Sequence, residues 1–118
     1  MGAIAFSRKP EDSWVVAGWA FRQVLDDVAS QHPEDSEMAD KFAQSKTHSG
    51  LMVYLLEPEF AARITSAIRQ VVTSILSGAI RSGIYDQSYG NAQTVEEYRK
   101  GLQELLDAFP HPETLNHP

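Results

Sequence analysis

The sequence predicts an all-α fold, a single-domain antiparallel bundle of four or five helices, and three observations predict it. Apolar residues recur at spacings of three and four in three separate segments of the 118-residue chain. Proline and glycine mark the ends of those segments. Only one run, from Leu51 to Leu56, has strand-like composition, and a lone strand has nothing to pair with.

Residues 1–9 read as an N-terminal arm. A first helix is expected from about residue 10 to residue 30. Pro10 suits a first helical turn, and Glu11 and Asp12 complement the positive end of the helix dipole. Trp14, Ala17, Phe21, Val24, Leu25 and Val28 form one apolar face, which Val15, Val16, Trp19 and Ala20 widen. His32-Pro33 stops it, because the residue before proline is pushed out of α geometry. A second, weakly amphipathic helix is expected from about residue 33 to residue 46, anchored by Met38 and Phe42. The run from Leu51 to Leu56 fits a buried strand or a short helix. For want of a second β-like run it is read as a short buried helix.

The third helix, from about residue 58 to residue 82, has the clearest period. Phe60, Ile64, Ile68, Val71, Val72, Ile75, Leu76, Ala79 and Ile80 lie on its apolar face. Gly83 reads as its C-cap. Its polar face is unusually short of charge, and Ser74, Gly78 and Ser82 are spaced by four. That face fits either burial on all sides or self-association, and the length of the helix favours burial. After a loop at residues 83–93, Thr94 and Glu97 read as a capping box. A fourth helix then carries Tyr98, Leu102, Leu105, Leu106 and Phe109. Pro110 ends it, and residues 110–118 are expected to form a frayed tail.

Composition narrows the function classes. With 42% hydrophobic and 22% charged residues the chain has enough apolar content for a core, and no apolar run could span a bilayer. Neither a signal peptide nor a myristoylation pattern is recognised at the start. The absence of cysteine excludes disulfides and thiolate metal sites, and a reducing cytoplasm is the expected compartment. The net charge of −6 argues against direct nucleic-acid binding. Charge is also unevenly spread: residues 60–85 carry three Arg and no acid, between regions of net −5 and net −4.

The residues suggest no chemistry. His32, His48, His111 and His117 lie outside the helices with no i, i+4 pairing, so no metal or other cofactor is expected. There is no Gly-x-Ser-x-Gly elbow and no phosphate-binding glycine loop. Asp26 and Asp27 are adjacent on a helix and point about 100° apart, which does not suit a shared proton. The protein is expected not to be an enzyme.

Two segments stand out as binding candidates. Asp26, Asp27, Glu34, Asp35, Glu37 and Asp40 follow one another with no Lys or Arg between. They are either a docking surface for a basic partner or a solvated run that caps helices. The loop residues Tyr85, Asp86 and Tyr89, with Gln87, Ser88 and Asn91, have the composition of an interface loop, although turns need similar residues. Trp14 is expected in the core, whereas Trp19 sits on the flank of its helix as a candidate partner contact.

In the acidic run from Asp26 to Asp40 and the loop from Tyr85 to Asn91, on a small cysteine-free helical scaffold, the chain resembles the acidic all-α immunity proteins that bacteria make against their own toxins. The resemblance is one of kind and includes no diagnostic motif. It implies a protein that binds and neutralises a cognate basic toxin, such as a nuclease. The other readings are a homo-oligomeric helical protein, joined along Ser74, Gly78 and Ser82, and a small-ligand-binding helical domain that uses Tyr85, Tyr89 and the arginines of the third helix.

Overall fold

Three short segments of the chain pair with one another. In the computed structural model, which describes residues 1–110, Gly2–Ala5 (β1), Ser13–Val16 (β2) and Gly50–Met52 (β3) form one sheet in the order β2-β1-β3. β1 runs antiparallel to β2, with Ile4 opposite Trp14, and parallel to β3, with Ile4 opposite Leu51. Among the described residues the fold is therefore α/β, four helices and a mixed three-stranded sheet, and the expected all-α bundle is corrected.

The correction has a local cause at each strand. The expected N-terminal arm is the central strand, and Ile4, Leu51 and Trp14 are each almost fully buried. Trp14 is in the core as expected, but β2 carries it. Its spacing to Ala17 and Phe21 imitated a helix, whereas Ser-Trp-Val-Val is a β-branched and aromatic run that suits a pleated surface. The first helix, α1, spans Gly18–Ser30 and begins eight residues later than expected. Leu51 lies in β3, and the rest of the expected short helix is a single 3-10 turn, Val53–Leu55.

α2 spans Ser36–His48 and ends on Ser49, which takes the left-handed conformation and turns the chain into β3. α3 spans Pro58–Ser77. It stops at Gly78, with φ of 86°, and the Ala79 and Ile80 N–H groups return to the Ser74 carbonyl. The helix is thus five residues shorter than expected, and Gly78, not Gly83, is its cap. α4 spans Ala92–Asp107 and starts from Asn91, whose side chain accepts the Thr94 N–H at 2.9 Å. Thr94 is therefore inside the helix, and the expected capping box is replaced by an Asn cap.

The helices cover one layer of the sheet: α1 contacts β1, α4 contacts β2 and α2 contacts β3. Close approach of α1 to β1 depends on Gly2, where a Cβ would lie 2.4 Å from the Phe21 Cβ. α3 packs against α1 and α4 and buries Ile64, Ile68, Val71, Val72 and Ile75. Its polar face is exposed at Arg63, Ser66, Gln70 and Ser77, so the helix is not buried all round. Ser74, Gly78 and Ser82 share no helical face, because Gly78 ends the helix and Ser82 turns into the core. Among the described residues no helix is long and apolar enough to cross a membrane. His111, His117 and all but the first residue of the expected frayed tail lie outside the described residues.

Candidate functional site

Ending α3 at Gly78 leaves thirteen residues before Ala92, and this segment folds back over one carboxylate. Asp27 lies on α1 one turn after Gln23, beside the apolar stripe of Val24, Leu25 and Val28, and is 4% exposed. Each of its oxygens accepts two hydrogen bonds. Oδ2 receives the Ser82 hydroxyl at 2.5 Å and the Tyr98 phenol at 2.8 Å. Oδ1 receives the Gly83 N–H at 2.9 Å and the Gln23 Nε2 at 3.0 Å. Four donors from α1, α4 and the loop thus replace the hydration that burial removes.

The same contacts lock the loop. The Ser82 Oγ also accepts the Ile84 N–H at 3.1 Å, starting the 3-10 turn Gly83–Asp86, and Ile84 is buried. Gly90 lies directly on the Ile84 carbonyl, where no Cβ would fit. The Tyr89 phenol donates to the Gln23 Oε1 at 3.3 Å, and its ring lies 5.8 Å from Trp19. Trp19 in turn lies 6.2 Å from the ring of Tyr98. Tyr85 and Tyr89 remain 47% and 40% exposed, two aromatic side chains held outward by a fixed backbone. Arg81 stacks over Tyr85 at 4.9 Å and pairs with Asp86 at 3.0 Å.

Comparisons with protein families, with curated proteins and with solved structures found no match to this chain.

The structure separates the residues that the sequence grouped. Asp27, expected on an acidic surface, is buried and cannot present its charge. Asp26 pairs with Lys46. Asp35 caps α2, accepting the Met38 N–H at 3.0 Å, and pairs with Arg63 at 2.9 Å. The Met38 hydrogen bond, and after it Arg63, holds the Asp35 carboxyl below its usual range. Glu37 shares the same guanidinium. Glu34 and Asp40 have no ion-pair partner among the described residues. Arg63 lies near the start of α3, whereas the loop begins beyond its other end, roughly 20 Å along the axis. Trp19, Tyr85, Asp86 and Tyr89 are brought to the loop end, and the surface acids Glu34, Asp35 and Glu37 lie toward the opposite end of α3.

A pocket of about 300 Å³ opens beside the loop, between Ile75, Ile80, Ile84 and Val95, with Arg81, Tyr85 and Arg99 on its wall. Each charged or hydroxyl side chain at this pocket with an assigned contact is already engaged within the protein. Ser82 and Tyr98 bind Asp27, Arg81 binds Asp86, and Arg99 donates to the Ile75 and Leu76 carbonyls at the end of α3. The Tyr85 hydroxyl, also on the wall of this pocket, makes no hydrogen bond among the described residues. Among the described residues no group of three His, Asp or Glu side chains could hold a metal ion.

Reasoning from sequence missed Gln23, Asp27 as a buried group, Ser82 and Tyr98. A signal was present: Gln23 and Asp27 are polar, four apart, and flank an apolar stripe. Burial, and after it the Asp27 charge, pushes the Tyr98 phenol well above its ordinary value. In the unfolded chain that phenol ionises near pH 10, while in the folded protein it keeps its proton. The folded state then binds more protons, so its stability should fall as pH rises past about 10, by about 1.4 kcal/mol per pH unit. Urea melts from pH 9 to pH 12 should steepen toward that slope in the parent and stay shallower in Tyr98→Phe. Equal slopes would mean that the phenol is not held protonated.

Proposed function

We propose that this chain is a non-enzymatic protein-binding domain that presents the loop carrying Tyr85, Asp86 and Tyr89, together with Trp19, to a basic protein partner. One observation carries this reading: two exposed tyrosines stand on a loop whose backbone is fixed by a buried carboxylate. Rigid aromatic side chains lose little entropy on binding and are the usual anchors of an interface. A loop ordered before association also avoids the cost of ordering it on contact.

The partner class follows from charge. The chain carries −6 overall, and the long-range field depends on that net charge although several acids are paired locally. Exposed Glu34 and Asp40, and the incompletely neutralised group of Asp35, Glu37 and Arg63, add to the field. A toxin domain with a positively charged cleft fits this chemistry, in keeping with the likeness to immunity proteins. The chain would act by occupying that cleft, without contributing a reactive group. The reducing cytoplasm is the compartment consistent with a chain that has no cysteine.

The test is co-purification with the product of the neighbouring gene, followed by growth rescue and binding kinetics. Tyr89→Ala should speed dissociation by about tenfold or more, as loss of an interface anchor does. Glu34→Lys with Asp40→Lys should leave the fold intact and slow association, an effect that added salt should weaken. Asp35 is unsuitable for this purpose because it caps α2. If Tyr89→Ala and the double reversal both protect as well as the parent, the loop is not the binding surface.

A further inference from the structure

The sheet has an open edge, away from the loop that carries Tyr85 and Tyr89. Among the described residues β2 is at the edge, paired only with β1. The register of the pair places Ala3 opposite Val15 and Ile4 opposite Trp14. One bond sets which residues point which way: the Phe6 N–H donates to the Asp12 carbonyl at 2.9 Å, in phase with the ladder. Antiparallel residues alternate between hydrogen-bonded and non-hydrogen-bonded pairs. Gly2 with Val16 and Ile4 with Trp14 therefore bond to each other, whereas the N–H and C=O of Val15 point away from β1. On the other side of the sheet the same alternation turns the Ala3 N–H toward Ser49, at 3.2 Å, as observed.

We propose that β2 pairs with β2 of a second copy of this chain, antiparallel across a two-fold axis at Val15. Three observations point to a second copy as the occupant. The edge is self-complementary: Val15 N–H meets Val15 C=O of the other copy in both directions, and Ala17 N–H meets Ser13 C=O on either side. Among the described residues none of these four groups has a hydrogen-bond partner inside the protein, and a two-fold axis satisfies them all. The segment is also free of charge, since no Asp, Glu, Lys or Arg occurs from Ser13 to Phe21. Two chains of net −6 thus meet at a segment that brings no like charges together. Finally, Val15 is 58% exposed, on the face opposite the buried Trp14. Soluble proteins ordinarily blunt such an edge with Lys, Pro or a bulge; here the two Val15 side chains would cover each other. The product is a six-stranded sheet in the order β3-β1-β2-β2-β1-β3, an isologous dimer.

Sedimentation equilibrium over micromolar to millimolar concentrations tests this, with two variants at the centre of the edge. Val15→Pro removes the outward N–H without losing a bond to β1, and Val15→Lys adds a charge beside the axis. The parent should associate reversibly to a dimer, and each variant should do so about tenfold less tightly or worse. Both variants should keep the parent circular dichroism spectrum, and they should match its melting temperature at concentrations low enough for the parent to be monomeric. Hydrogen-bonded antiparallel partners have Cα atoms about 5.5 Å apart, within disulfide reach. As the protein has no cysteine of its own, Val15→Cys should oxidise to a covalent dimer much faster than Ser77→Cys on the exposed face of α3. A parent that stays monomeric to millimolar concentration overturns the proposal. So does a dimer unaffected by both variants, which would place the second copy on another face, or a Val15→Cys protein that cross-links no faster than Ser77→Cys.

Discussion

Replacing Asp27 by Ala is expected to cost about 3–5 kcal/mol of folding stability, as loss of the centre of a buried charged network does. The carboxylate accepts from Ser82, Tyr98, Gly83 and Gln23, which belong to three separate parts of the chain. Without it, two hydroxyls, an amide side chain and a backbone N–H are left with no acceptor at the same place. Each buried donor left unsatisfied costs about 1–3 kcal/mol, and the cavity adds to that. Water entering the cavity would recover part of the loss, which keeps the expected total below the simple sum. Asp27→Asn should be milder, at about 1–3 kcal/mol. It keeps one acceptor oxygen but turns an NH₂ group toward hydroxyls that now donate to Oδ2. Urea melts followed by circular dichroism measure both variants. A cost below about 1 kcal/mol for Asp27→Ala would show that water satisfies the four donors as well as the carboxylate does. For a domain of ordinary stability, about 5–15 kcal/mol, the expected loss is a large fraction of the total.

Gly90→Ala is expected to have the second largest effect and to act on the loop more than on the core. A Cβ at this position would lie 2.1 Å from the Ile84 carbonyl oxygen and 3.1 Å from that of Gln87. Both neighbours are backbone, so no side chain can rotate away, and the segment from Ile84 to Gly90 must shift. Overpacking of this kind costs about 1–3 kcal/mol. The shift would break the Gly90 N–H bond to the Gln87 carbonyl, now 3.0 Å, and release the hold on Tyr89. Amide exchange should therefore quicken at Gln87 and Gly90 in the variant while the amides of α1 and α3 stay protected. If the loop acts as proposed, partner association should weaken in the same variant, because ordering the loop then falls on the binding step. Unchanged exchange at Gln87 and Gly90 would mean that the loop accommodates a methyl group, and that its backbone is not fixed.

The sequence by itself determined the amphipathic helices. The apolar face of α3 follows a period that no other element could satisfy, and Ile68, Val72 and Ile75 are buried as that period requires. Tyr98, Leu102 and Leu105 of α4 are buried for the same reason. A helix declares itself because its hydrogen bonds are local and its apolar stripe repeats over many turns. The solvent-accessible tyrosines of the loop were also legible, since Gly, Ser and Asn around Tyr85 and Tyr89 match the composition of an exposed turn.

Only the tertiary structure decided the sheet and the buried network. Strands of three and four residues are too short to display a period of two, and their pairings join residues far apart in sequence, 8 apart from Ala5 to Ser13 and 47 apart from Ala5 to Met52. Nothing local marks Gly2–Ala5 as a strand until β2 and β3 supply its partners. Asp27 and its neighbour Asp26 are the same residue type, side by side on α1, yet one is buried and the other pairs at the surface with Lys46. A difference of about 100° in direction separates them. Which direction is inside depends on where Ser82 and Tyr98 arrive, 55 and 71 residues further along the chain. Likewise the acidic run was legible as composition, but its neutralisation by Lys46 and Arg63 was not. Those partners come from the last turn of α2 and from α3, and ion pairs between elements leave no trace in the order of residues.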